Sequence, residues 1–141
     1  MSRLLILVVL AAMAVVIAAL LQRRRPEPPS APSYRAPSQL DRREFVGPTG
    51  TPLVVVFASA TCNSCPVVWE EVVSLGNEGL SIERIDVQDD PKRHERYRID
   101  GVPTTLVADG EGVVRASFFG PLPVGALAEA VGTVLDDSRP D

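Results

Sequence analysis

Two cysteines and a single histidine are all that this 141-residue sequence offers as thiolate or imidazole metal ligands. Two thiols are too few to staple a small secreted scaffold and too few to close a zinc site. The lone histidine, His94, stands among Arg93, Glu95 and Arg96, where it reads as a solvated surface side chain and not as a ligand. No metal and no cofactor is expected. Basic residues are also scarce where nucleic acid would need them: residues 51–141 carry seven Lys or Arg against fifteen acids, a balance of −8. Phosphate binding relies on clustered Lys and Arg, so nucleic acid is excluded as a partner. No internal repeat is visible.

Residues 1–50 have the opposite character, with seven Arg against Glu27, Asp41 and Glu44, a balance of +4. Leu4 to Leu21 is an uninterrupted apolar run of eighteen residues. As a helix rising about 1.5 Å per residue it spans roughly 27 Å, close to the hydrocarbon thickness of a bilayer. Gln22-Arg23-Arg24-Arg25 follows it, in place of the small residues of a cleavage site. Residues 1–22 therefore read as an uncleaved single-pass transmembrane anchor in the cell membrane, with a cleaved signal peptide as the alternative. The three arginines outweigh Arg3 and the N-terminal amine, and positive flanks stay cytoplasmic. That rule places the rest of the chain on the cytoplasmic side.

Residues 23–39 read as a linker. From Pro26 to Pro37 five prolines are interspersed with Glu, Ser, Ala, Tyr and Arg, a composition that favours extended polyproline geometry over a packed core. At about 3.1 Å per residue, a dozen such residues reach roughly 35–40 Å.

Residues 40–141 carry ordered patterns. Leu53-Val54-Val55-Val56-Phe57 is a largely β-branched run, and its continuous apolarity predicts a central strand covered on both faces. Pro66 to Leu75 has helical spacing, with Val68, Trp69, Val72, Val73 and Leu75 apolar and Glu70 and Glu71 exposed. Leu80 to Val87 reads as a second strand, and Pro91 to Arg98 as a short helix whose charges form a solvated face. Thr104 to Ala108 and Val113 to Phe119 are β-rich, joined by the turn signal Asp109-Gly110-Glu111-Gly112. Val124 to Leu135 is an amphipathic helix. Strand, helix, strand, helix, strand, strand, helix predicts an α/β fold with a mixed central sheet and helices on both faces.

Between the first strand and the first helix stands Cys62-Asn63-Ser64-Cys65. By spacing alone the pair could be a structural staple, half a metal site or a redox couple. Its position after a buried strand, at a helix start, favours the redox couple. The orphan amides and positive end of that helix favour thiolate at Cys62, making it the attacking sulfur, and Cys65, one turn in, the resolving one. Pro66 suits an early helical position, where its missing N–H costs nothing.

With Gly101-Val102-Pro103-Thr104-Thr105 added to Leu53–Cys65, the stretch from about Leu40 to Leu135 resembles the thioredoxin family, here as a membrane-anchored member. The resemblance implies a thioredoxin-like fold, a cis Val102–Pro103 peptide beside the sulfurs, and substrate binding at Val102, Pro103 and Thr61. A proline without N–H leaves the backbone before it free to pair with an extended substrate segment. Pro91, Tyr97 and Gly120 fall at similar intervals from Pro103, and Arg84 stands near the position of a family lysine beside the active site. Several positions depart from the pattern. Thr61 replaces the tryptophan usual before the first cysteine, Asn63-Ser64 replaces Gly-Pro, and Val56 replaces a buried acid, which a Val cannot substitute as a proton acceptor. Membrane-tethered relatives often act outside the cytoplasm, so the side of the membrane stays open.

The expected function is thiol–disulfide oxidoreduction: Cys62 and Cys65 exchange a dithiol and a disulfide with protein substrates, and a redox partner protein restores the starting state. The alternatives are a non-catalytic docking module with an inert disulfide, binding a membrane partner through its acidic surface, and, more weakly, a peroxide reductase using Thr61.

Overall fold

The computed structural model describes residues 35–138 together with Met13. The chain divides into two units, Met1–Ser33 and Tyr34–Asp141, and every element named below belongs to the second. The anchor expected over 1–22 and the linker up to residue 34 lie outside the described residues, apart from Met13. Among the described residues no helix is long and apolar enough to cross a membrane.

The run of β-branched residues forms β1, Leu53–Ala58, buried along its whole length. It lies inside a four-stranded sheet of order β2-β1-β3-β4. β2 is Ser81–Asp86, parallel to β1, with Val56 level with Arg84. β3 is Thr104–Ala108, antiparallel to β1, with Val56 level with Thr105. β4, Val114–Phe119, closes the hairpin beyond the Asp109–Gly112 turn. Asp109 shapes that turn by accepting from the amides of Glu111 and Val113 at 3.0 and 2.9 Å. Burial pushes the Asp109 carboxyl up, but the Val113 amide, the Arg115 guanidinium and the Glu111 amide together outweigh it and hold it below the usual range.

Alternation along β1 splits the core into two layers. Val54, Val56 and Ala58 meet Val107 of β3 and two helices, α1 (Cys65–Ser74) and α3 (Ala126–Asp137). Leu53, Val55 and Phe57 meet Leu106, Ala108 and Ile85 on the other face, together with Leu40, Phe45 and Tyr97. The short helix α2, Pro91–Arg96, covers that second face. The mixed sheet with helices on both faces matches the expectation. Each fully buried side chain of this size contributes roughly 1.5–3 kcal/mol through removal from water.

Helix ends differ from the sequence pattern where single residues turn left-handed. Arg98 has φ 52°, its amide donates to Glu95 O and that of Ile99 to His94 O, at 3.0 and 2.9 Å. This doubly bonded C-terminal motif stops α2 at Arg96, short of Arg98. Gly125, at φ 76°, precedes α3, so Val124 stays outside the helix and exposed. At the other end of the domain, Ser38 O accepts from Val114 N and Leu40 N donates to Gly112 O, at 3.0 and 2.8 Å. Backbone pairing with the start of β4 thus reaches into the stretch read as linker.

His94 requires a correction. It is not solvated but 5% exposed, with Nε2 3.0 Å from Ile85 O and its ring edge-on to Phe57 at 5.0 Å between centroids. Its neighbours in sequence are charged, yet α2 turns position 94 toward the sheet. Arg93, read as part of the same solvated face, is also partly covered and bridges Asp90 and Glu83 at 2.7 and 2.8 Å.

Candidate active site

Cys62 and Cys65 are joined by a disulfide, S–S 2.07 Å, where β1 gives way to α1. The chain leaves β1 through Ser59, and Cys62 N donates to Ser59 O at 3.1 Å, curling the segment into a tight turn before the helix. Ser64 is the N-cap of α1, but its side chain makes no capping bond. Its Oγ lies instead 3.7 Å from Cys62 Sγ. Val68 N donates to Ser64 O at 3.2 Å, closing the first turn. Pro66 in that turn has no N–H, so the donors left at this helix end belong to Ser64, Cys65 and Val67. Such a terminus carries partial positive charge, which favours a nearby thiolate.

The two sulfurs have different surroundings. Cys65 is completely buried among the side chains of β1, α1 and α3, whereas Cys62 is half-buried at the border of that cluster. Only Cys62 can meet a substrate disulfide without the fold opening.

Val102–Pro103 is a cis peptide. Pro103 is buried and Val102 half-buried, and Val102 packs on the border of the same cluster as Cys62 and Trp69. Gly101 lies close beneath Phe119, and a Cβ there would stand 2.6 Å from the far edge of its exposed ring, which would have to swing aside. Gly120, at φ 81°, donates its amide to Pro103 O at 2.9 Å and ties the end of β4 to the cis bond. Thr61 is exposed next to Cys62, with Oγ1 3.1 Å from Ser59 Oγ. The turn thus places Cys62, Cys65 and Thr61 together, and Val102 borders the cluster in which Cys65 is buried, with Pro103 next to it in the chain.

Three supporting side chains are not evident from the sequence. Gln88, just past β2, donates to Ser59 Oγ at 2.8 Å and accepts from Ala60 N at 3.0 Å. Ser59 in turn accepts from Thr61 N at 3.3 Å. These bonds brace the segment that carries Cys62, together with Val87 N donating to Ala58 O at 2.9 Å. Ser64, beside Cys62 Sγ, is the third. A small polar residue directly after a buried strand is a weak signal for Ser59, and nothing local marks Gln88.

Strand β2 brings one charged pair to this face. Arg84 lies on the same side of the sheet as Ile82, and its guanidinium holds Asp86 through two bonds of 2.9 Å. That hydrogen bonding raises the guanidinium pKa against the opposing effect of burial. Among the described residues, no group of three or more His, Cys, Asp or Glu is placed to hold a metal ion. His94 packs on the opposite face of the sheet from Cys65 and so cannot complete a shell around the two sulfurs.

No protein-family model matches the chain, and no curated protein matches it in sequence. Solved structures do. Chloroplastic thioredoxin z is 24% identical with a TM-score of 0.51, over 60% of this chain and 79% of its own. A thioredoxin of Fasciola hepatica is 22% identical with a TM-score of 0.54, over 61% of this chain and 83% of its own. A malarial protein, 15% identical with a TM-score of 0.54, is matched over 60% of this chain and 98% of its own. At these identities what they share with the chain is the fold, and that fold is thioredoxin-like.

Proposed function

We propose that this protein is a thiol–disulfide oxidoreductase that exchanges the Cys62–Cys65 pair with protein thiols and disulfides. The observation that carries the reading is the asymmetry of the pair: a partly accessible Cys62 at a helix N-terminus bonded to a wholly buried Cys65. A purely structural staple has no need of that difference, whereas two-step exchange needs one sulfur to meet substrate and one to wait.

In the reducing direction the Cys62 thiolate attacks a substrate disulfide, forming a mixed disulfide and releasing one substrate thiolate. Cys65 then attacks Cys62 Sγ, the intramolecular disulfide forms and the second substrate sulfur leaves. A separate protein dithiol restores the reduced pair. Oxidation of a substrate runs the same steps backwards. The partly accessible Val102 before the cis Pro103 supports docking of an extended substrate segment, which two-step exchange uses to hold the mixed disulfide in place.

Tethering completes the proposal. The apolar run Leu4–Leu21 would hold the domain at a membrane, and Arg23–Arg25 favour its cytoplasmic side. The test of the chemistry is a pair of variants on a model protein disulfide. Cys62→Ser abolishes turnover, and Cys65→Ser accumulates a mixed disulfide through Cys62. Full activity in both variants sinks the reading and leaves a docking module with an inert bond.

A further inference from the structure

Among the described residues, Thr105 Oγ1 is the one buried side-chain polar atom with no hydrogen-bond partner. Thr105 has no solvent exposure, so nothing outside relieves it, and a buried hydroxyl without a partner is normally selected against. Its neighbour Thr104 is equally buried but donates to Gly101 O at 2.8 Å. The orphan is therefore particular to position 105.

Its place in the sheet gives it a use. Thr105 is level with Val56 across the β1–β3 ladder, and alternation along β3 puts it on the face of Val107. That face is the one on which α1 buries Cys65. In the disulfide neither sulfur is charged, and the hydroxyl has nothing strong to bond. Reduction changes that, because Cys65 must become a thiolate to resolve a mixed disulfide, and a thiolate in an apolar layer needs a donor. Val56 has none. Arg84 and Asp86, the charged groups that β2 contributes to this face, are bound to each other. The inward positions of α1 and α3 are apolar apart from Cys65 itself.

We propose that the Thr105 hydroxyl is the hydrogen-bond donor to the Cys65 sulfur once the disulfide opens, stabilising the thiolate that resolves the mixed disulfide. This rests on the thiol–disulfide reading above. In the step it serves, Cys65 loses its proton and its sulfur bonds to Cys62 Sγ. The bond from Cys62 to the substrate sulfur breaks, and the electron pair leaves with the substrate. The proton ends on that substrate thiolate, so the cysteine pair is oxidised and the substrate reduced. Thr105 keeps its own proton throughout, and its hydroxyl turns freely about Cβ–Oγ to meet the sulfur.

The test follows the reduced full chain reacting with the aromatic disulfide dithiobis(nitrobenzoate). Cys62 releases one coloured thiolate in a first phase, and Cys65 releases the second as it closes the intramolecular bond. Thr105→Val, which keeps the shape and deletes the hydroxyl, leaves the first phase unchanged and, below the pH midpoint of Cys65, slows the second roughly three- to tenfold, the worth of one hydrogen bond to a charged group offset by the weaker nucleophilicity of the stabilised thiolate. The pH at which the second phase reaches half its maximal rate moves up, and Thr105→Ser restores both rate and midpoint. The oxidised Thr105→Val protein unfolds at the same or a higher denaturant concentration than the parent, so slowing is not a folding defect. A second phase unchanged in rate and pH midpoint in Thr105→Val overturns the proposal while the oxidoreductase reading stands. A parent protein with no second phase overturns both.

Discussion

Replacing His94 with Ala distinguishes a buried core histidine from a solvated one, and the structure sets the size of the effect. The substitution removes the bond to Ile85 O at 3.0 Å, worth roughly 0.5–1.5 kcal/mol net, or more if the carbonyl is left unsatisfied. It also removes an edge-on ring contact with Phe57, worth about 0.5–1.5 kcal/mol, and leaves a hole where a ring 5% exposed had been. The expected loss is about 2–4 kcal/mol, within the range of core truncations. For a domain of this size that is a fall in Tm of roughly 10–20 °C. Trp69, the only tryptophan, packs against the first core layer, so its fluorescence follows urea unfolding directly. His94→Phe, which keeps a ring, recovers part of the loss. Exchange by the folded fraction stays at the parental rate, because His94 lies on the sheet face away from Cys65. A loss below about 0.5 kcal/mol, typical of an exposed side chain, refutes the reasoning.

Two further expectations concern the candidate site and the proposed membrane anchor. Gln88→Ala frees the segment before Cys62 by removing the bonds to Ser59 Oγ and Ala60 N. The first phase of the aromatic disulfide reaction slows severalfold while stability falls by only about 1–2 kcal/mol, and an unchanged first phase contradicts a bracing role. The membrane reading is checked by labelling Cys62 in reduced, intact cells with an impermeant maleimide. Protection until the cells are permeabilised is the outcome the Arg23–Arg25 flank favours, and immediate labelling reverses the assigned side.

Most of the architecture is legible in the sequence because its signals are local. A continuous β-branched run marks a strand buried on both faces, Asp109-Gly110-Glu111-Gly112 marks the hairpin, and Cys62 and Cys65 at a strand-to-helix junction mark the site. Element ends are less legible. The left-handed residue at Arg98 carries no glycine to announce it, and Gly125 moves the start of α3 past Val124.

The sequence by itself determined the order of elements, the Cys62–Cys65 pair at a strand-to-helix junction and the proline just before β3, since hydrophobic periodicity and residue spacing act over one or two turns of chain. Only the tertiary structure decided what is brought together over longer separations. It turned His94 from a charged stretch into the core, set Gln88 beneath a segment twenty-nine residues away, and left the Thr105 hydroxyl without a partner on the face that buries Cys65. Those outcomes depend on strand register and on which face of the sheet each helix covers, and a one-residue slip in either would move every side chain involved to the other side.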